Sequence, residues 1–188
     1  MSQRGKIIVI QFVTLDGVVE DPDGRAGSDV GGWAFRFGAG AIAGDKFKLG
    51  PVMQSGTLLF GRGTWEHFSR LWPQRDDPFS LAMNAVPKHV VSRGTPDLSA
   101  WSNSHPLGDG PVEGAVRLAE RQDVVVVGST TIVRSLAAAG VVDEYRLLWV
   151  PTFVGTGTTL FDTTVALQPV SVVAQGSLTL GTYVPSRP

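Results

Sequence analysis

The chain predicts an α/β fold: a mixed, mostly parallel central sheet with flanking helices and an antiparallel hairpin at the C-terminal end. Three stretches carry that expectation. Residues 57–66 run from four apolar or β-favouring positions through Gly61-Arg62-Gly63 into a helical pattern, the signature of strand, turn and helix. Residues 123–132 repeat it, with four consecutive valines breaking at Gly128 before Ser129-Thr130-Thr131. An unbroken valine run suits a strand covered on both faces, as in a parallel sheet. Near the end, residues 170–174 and 177–180 flank Gln175-Gly176 and read as two strands of a hairpin.

The remaining elements follow in order. Residues 7–10 (Ile-Ile-Val-Ile) form the first strand, packed centrally. Residues 17–44 are glycine-rich and long for an ordinary connection, a length that suits a lid or binding loop. A helix over 45–54 leads to the Thr57 strand. The next helix begins at Trp65 with Thr64 as its cap, sets Trp65, Phe68 and Leu71 on one face and stops before Pro73. Residues 89–91 form a short strand ending in Ser92-Arg93. Residues 111–121 form a helix, and so do residues 130–139, which Gly140 terminates. Residues 145–150 supply the next strand. Neither an internal repeat nor a linker interrupts this order, so one domain over residues 1–188 is expected.

Composition removes several function classes. The 188 residues include 16 basic and 17 acidic side chains, for a net charge of −1, and no basic run of the kind an extended nucleic-acid surface uses. Without cysteine, neither a disulfide framework nor a thiolate metal site exists. His67, His89 and His105 are scattered, so no metal site is expected. His67 is expected on the exposed side of its helix. The N-terminal lead has no membrane-length apolar run and no small-residue cleavage site, so a soluble, cytoplasmic protein is expected. No GxSxG elbow marks a serine hydrolase. Residues 38–43 fit G-x-G-x-x-A but lack a preceding strand and an acidic partner, and read as flexible loop. Trp72, Trp101 and Trp149 are expected in the core or at an interface, although a flat substrate could stack on one. Gly155-Thr156-Gly157 reads as a turn shaping the cleft.

The chemistry suggested by the strand ends is anion binding. A helix start offers unpaired N–H groups and a partial positive charge. Gly61, Gly63 and Gly128 let a ligand approach the backbone, and Arg62 and Arg93 add guanidinium groups suited to phosphate. The alternative reading of either glycine turn is a tight turn that binds nothing.

Gly61-Arg62-Gly63-Thr64-Trp65-Glu66 resembles the GR-x-TW-E turn of dihydrofolate reductases. Val91-Ser92-Arg93 is similar to their LSR strand end, and Gly128-Ser129 to their paired-glycine turn. Residues 140–145 and 150–161, with residues 12–19 (Asp16-Gly17 among them), are closer to a sister group. That group is the C-terminal reductase domain of the bifunctional riboflavin-biosynthesis deaminase-reductase and its stand-alone relatives. The likeness spans residues 6–180, and it implies an NADPH-dependent reductase acting on a pterin, a flavin precursor or a related small heterocycle. By resemblance, Gly61, Arg62, Gly63 and Thr64 would meet the cofactor pyrophosphate. Ser92 and Arg93 would meet the 2′-phosphate, and Gly128, Ser129, Thr130 and Thr131 the nicotinamide side. Asp45 lies at the spacing ahead of Gly61 that dihydrofolate reductases use for their pterin-binding carboxylate; alternatively it only favours a helix start. Asp16 either faces substrate or forms the turn before Gly17. The dihydrofolate-reductase LPW tryptophan has no counterpart except Trp33 after Gly32, which speaks against folate. The deaminase half and its zinc ligands are absent from this sequence. A homodimer, formed through residues 145–150 or the hairpin, is a further implication, and a non-catalytic ligand-binding protein is the rival from another class.

Overall fold

The structure, a computed structural model, describes residues 4–186. Eight strands form one sheet: β1 (Ile7–Thr14), β2 (Thr57–Gly61), β3 (Lys88–Val91), β4 (Ser104–Leu107), β5 (Val124–Val127), β6 (Glu144–Val150), β7 (Leu167–Gln175) and β8 (Leu178–Pro185). Their spatial order is β4-β3-β2-β5-β1-β6-β8-β7. Every pairing from β4 to β6 is parallel, whereas β6–β8 and β7–β8 are antiparallel. The mixed sheet with its C-terminal hairpin is the one the sequence predicts.

Side-chain alternation on β1 explains why the sheet is covered on both sides. Ile8 and Ile10 join one core and Ile7, Val9 and Val13 the other. The valines of β5 divide the same way, Val125 and Val127 against Val124 and Val126. Each such side chain contributes roughly 1.5–3 kcal/mol on burial. The first core takes in Val52 and Met53 of α2 (Gly50–Ser55), Trp65 of α3 (Arg62–Ser69) and Met83 of α4 (Pro78–Ala85). The second is closed by α5 (Pro111–Ala119) and α6 (Thr130–Ala138). A short helix, α1 (Ala39–Ile42), precedes α2.

Several boundaries differ from expectation, each for a local reason. Helix α3 starts at Arg62, so Gly63 and Thr64 lie inside it and Gly61 occupies the cap position. Gly61 has φ −76, an ordinary extended conformation, so its glycine is not needed for a left-handed turn. The helix expected over 45–54 begins at Gly50, because residues 44–49 fold as a turn around the Asp45 carboxylate. Residues 39–42 are helical, not flexible loop. The hairpin strands run longer than the apolar runs that announced them. Strand β4 and helix α4 carry weak patterns in sequence and are added by the structure.

Candidate active site

The cavity sits where β5 stops short of its neighbour. Val127 pairs with Ile10, after which Gly128 turns away with φ +64 and β1 runs on alone beside β6. That gap lies at the carboxyl edge of the parallel strands, where open α/β sheets bind ligands. A cavity of about 520 Å³ fills it. Its floor is Ile10, Gln11 and Phe12 of β1; one wall is Gly63, Thr64, His67 and Phe68 of α3, continued by Trp72. Val127, Gly128 and Thr130 close a second side, and Glu20, Asp21, Asp23, Phe35 and Phe47 a third.

Four of the sequence-predicted residues therefore line one space: Gly63, Thr64, Gly128 and Thr130. A side chain at Gly63 would meet no atom within 4 Å, so this glycine keeps the cavity open beside the first turn of α3. The remaining predicted residues lie around it. Ser129, 5% exposed, does not present its hydroxyl as a free donor. Its Oγ accepts from the Gly61 N–H at 2.8 Å and lies 3.1 Å from Thr64 Oγ1 and 3.2 Å from the Val127 carbonyl. Ser129 thus ties the two glycine turns together. Arg62 is exposed and pairs with Glu66 at 2.6 Å, one helical turn on. Thr131 is exposed on the first turn of α6; Ser92 and Arg93 follow the end of β3, with Arg93 exposed.

Helix capping separates the cavity helices from the others. The amides at the start of α2 donate to Asp45 and those of α4 to Asp77, while α5 carries Glu113 in its first turn. Helices α3 and α6 have no side-chain cap and no acid in the first turn. Apart from the Thr130 N–H, which donates to the Gly128 carbonyl at 3.1 Å, their leading N–H groups meet no capping side chain, the condition under which a helix start attracts an anion. With Gly63 open and Gly128 in the left-handed region, these residues fit a dinucleotide pyrophosphate.

The two candidate acids sit elsewhere. Asp45 accepts from Leu49 N at 2.6 Å and Gly50 N at 2.7 Å and does not line the cavity, in keeping with the helix-start reading of this residue. Asp16 accepts from Thr14 Oγ1 at 2.5 Å, Gly155 N at 2.6 Å and Val154 N at 3.0 Å. The Thr14 hydroxyl, and then the Gly155 amide, hold its carboxyl below the usual range. It straps the end of β1 to the loop after β6.

Sequence reasoning missed other cavity residues. His67 is half-buried, not on an exposed side, and bonds Asp23 at 2.8 Å across the gap between α3 and the glycine-rich loop. Burial pushes the Asp23 carboxyl up, but the hydrogen bond and charge of His67, with Arg25, outweigh it and leave it lowered. The loop itself is organised, not loose. Asp21 accepts from Ala26 N and Ser28 N, Glu20 from Ser28 and Thr158, and the Glu20 carbonyl from Trp33 Nε1. The one signal for Gln11 was a lone amide inside the apolar run of β1.

Trp101 is core, Trp149 donates to Tyr183, and Trp72 lines the cavity. His89 and His105 are cross-strand neighbours with ring centroids 5.8 Å apart. Among the described residues no group of three His, Asp or Glu could hold a metal, and no helix is long and apolar enough to cross a membrane.

This architecture is the dihydrofolate-reductase-like fold. The dihydrofolate reductase of Enterococcus faecalis, in complex with NADP(H) and RAB-propyl, superposes with TM-score 0.57 at 17% identity over 100% of both chains. The RibD C-terminal domain family matches residues 115–183. A putative riboflavin biosynthesis protein from Shewanella sp. PV-4 superposes with TM-score 0.72 at 20% identity, over 97% of this chain and 99% of that one. The Thermotoga maritima diaminohydroxyphosphoribosylaminopyrimidine deaminase/5-amino-6-(5-phosphoribosylamino)uracil reductase gives TM-score 0.60 at 16% identity over 97% of this chain. The chain spans only 57% of that bifunctional protein. No curated protein sequence matches.

Proposed function

We propose that the protein is a cytoplasmic, NADPH-dependent reductase that transfers hydride to a small heterocycle such as a pterin or flavin precursor. The observation that carries the reading is the pair of uncapped helix starts, α3 and α6, meeting at a cavity on the carboxyl edge of the sheet. Bound there, NADPH would supply the hydride. Gly61, Arg62, Gly63 and Thr64 would hold its pyrophosphate with backbone donors and one guanidinium, with Ser92 and Arg93 outside the cavity for the 2′-phosphate. Thr130 and Thr131 at the start of α6 would face the nicotinamide side, and the apolar wall of Phe12, Phe47 and Phe68 would exclude water from the reacting carbon. The position of Asp45, spent on two backbone amides outside the cavity, favours this reading over a true folate reductase. The reading includes a homodimer: β7 is an edge strand with Val170 and Val172 62% and 57% exposed. Light scattering tests that part.

The test of the cofactor is a titration with NADPH and with NADH, followed by nicotinamide fluorescence excited through tryptophan and repeated with Arg93→Ala. Micromolar NADPH binding, weaker for NADH and weakened in the variant, is the expected result. Failure to bind either nucleotide overturns the reading and leaves a non-catalytic ligand-binding protein.

A further inference from the structure

Reduction of a polar double bond takes a hydride at carbon and a proton at the nitrogen or oxygen, and the proton has to come from a group at the site. Six side chains lining the cavity carry ionisable groups: Glu20, Asp21, Asp23, Arg25, His67 and Arg75. An arginine keeps its proton in a protein. The three carboxylates are engaged as acceptors. The Ser28 hydroxyl, and then the Thr158 amide and hydroxyl, hold the Glu20 carboxyl below its usual range. Both oxygens of Asp21 take backbone amides, from Ala26 and Ser28. Burial raises the Asp23 carboxyl, but the hydrogen bond and charge of His67 outweigh it. None of the three is arranged to give a proton.

His67 is. Asp23, as a carboxylate, can only accept, so their 2.8 Å bond puts a proton on His67 Nε2 and fixes the tautomer. Nδ1 is then the nitrogen that gains and loses the second proton. It has no partner among the described residues, and it is not one of the buried, unpaired polar atoms, so it remains open. His67 stands one helical turn after Gly63, on the same face of α3. Its ring centroid is 5.4 Å from that of Phe68, part of the apolar wall. The start of α3 thus offers its amides to an anion, while the next turn brings an imidazole to the same cavity.

We propose that His67, its ring held by Asp23, delivers through Nδ1 the proton that accompanies hydride transfer in this cavity. The proposal rests on the reductase reading. As the hydride from bound NADPH reaches the carbon of a C=N or C=O bond, the π pair moves to the nitrogen or oxygen and takes the Nδ1 proton. The imidazole is left neutral and regains its proton from solvent. The other charged groups on the cavity and on α3 are Glu20, Asp21, Arg25, Arg75, Arg62 with Glu66, and Arg70; no second imidazole is among them, so a change of rate near neutral pH reports on His67.

Two measurements on the full chain test this. By NMR of protein carrying isotope-labelled histidine, the neutral His67 ring should hold its proton on Nε2, with Nδ1 following pH. A neutral ring protonated at Nδ1 overturns the proposal with no substrate involved. The second measurement follows single-turnover oxidation of bound NADPH across the neutral range. Its acceptors are 7,8-dihydrobiopterin for a C=N bond and 9,10-phenanthrenequinone for a C=O bond. The rate should fall as pH rises through the His67 titration. His67→Gln should abolish that fall and lower the rate about 100-fold on its acid side, the lower end of what a general acid contributes, with NADPH affinity close to that of wild type. His67→Asn takes its place if that variant fails to fold. Asp23→Asn removes the charge beside the imidazolium, so the fall should move to lower pH. A rate indifferent to His67→Gln, or a fall with pH that survives it, overturns the proposal alone. So does bound NADPH that neither acceptor oxidises. Failure to bind NADPH retires the reductase reading, and this proposal with it.

Discussion

Replacing Ser129 by alanine removes a single oxygen at the junction of the two glycine turns. That oxygen accepts the Gly61 N–H at 2.8 Å and sits within 3.2 Å of Thr64 Oγ1 and the Val127 carbonyl. At 5% exposure the site gives water little access, so the Gly61 amide is left without an acceptor. Leaving a buried donor unmade costs about 1–3 kcal/mol. For a chain of this length that lowers the melting temperature by roughly 2–4 °C per kcal/mol. Urea denaturation should therefore show a fall of about 2 kcal/mol at unchanged slope, and Ser129→Thr, which keeps the hydroxyl, should restore most of it. The consequence for function is larger than the stability loss. Gly61 caps α3 and Gly128 precedes α6, so loosening their tether moves both helix starts relative to each other. NADPH affinity should fall about tenfold with Ser129→Ala although Ser129 itself need not touch the nucleotide. A loss below about 0.5 kcal/mol together with unchanged NADPH affinity would refute the tether.

Other expectations separate binding from folding. Gly63→Leu enters open space next to α3 and replaces a poor helix former, so stability should hold or rise by up to about 1 kcal/mol while NADPH affinity drops at least tenfold; isothermal calorimetry beside a thermal melt checks both. Asp45→Asn weakens the acceptor for Leu49 N and Gly50 N, so it should cost about 1 kcal/mol by denaturant titration and leave NADPH affinity unchanged. Lys88 is wholly buried, donates to the Met83, Asn84 and Val86 carbonyls, and burial pushes its pKa down to about 8 from 10.5. Between those values the unfolded chain holds the extra proton, so stability rises with pH across the window and is lost as pH falls through about 8. The advantage of wild type over Lys88→Met should grow by about 3 kcal/mol from pH 7 to pH 10.5, at about 1.4 kcal/mol per pH unit; a flat difference would mean that the three carbonyls offset the desolvation.

The fold was legible where burial imposes a period and a glycine imposes a break. The four valines of β5, the turn at Gly128 and the stop at Gly140, with φ +65, could be placed from residue types alone. The start of α3 was misplaced because threonine is a good cap, and nothing local shows that Thr64 is already inside the helix. Strand β4 is an edge strand, two of whose four residues are exposed, so it carries no apolar period. The site was half legible. Glycines near strand ends announce themselves, but Asp23 and His67 are 44 residues apart and meet only because the loop folds back on α3. Gln11 lies just beyond the 7–10 strand the sequence predicts, and its place at the cavity depends on β5 ending one residue earlier.

The aspartates carry the reasoning furthest, because residues of one type divide the molecule into finished and unfinished parts. Asp16, Asp21, Asp45 and Asp77 each accept backbone amides: they secure the β1 turn, the glycine-rich loop, the start of α2 and the start of α4. Every one of those carboxylates does for its amides what an anionic ligand would otherwise do. At α3 and α6, where the same treatment would add stability of about 1 kcal/mol per cap, no acid is found. A chain that gives α2 and α4 an aspartate and leaves α3 and α6 facing one cavity without one forgoes that stability where an outside anion can supply it. The partial charges at both starts then act together on a single bridging group. Placing an aspartate at Gly61, beside the start of α3, should accordingly stabilise the free protein and repel the nucleotide.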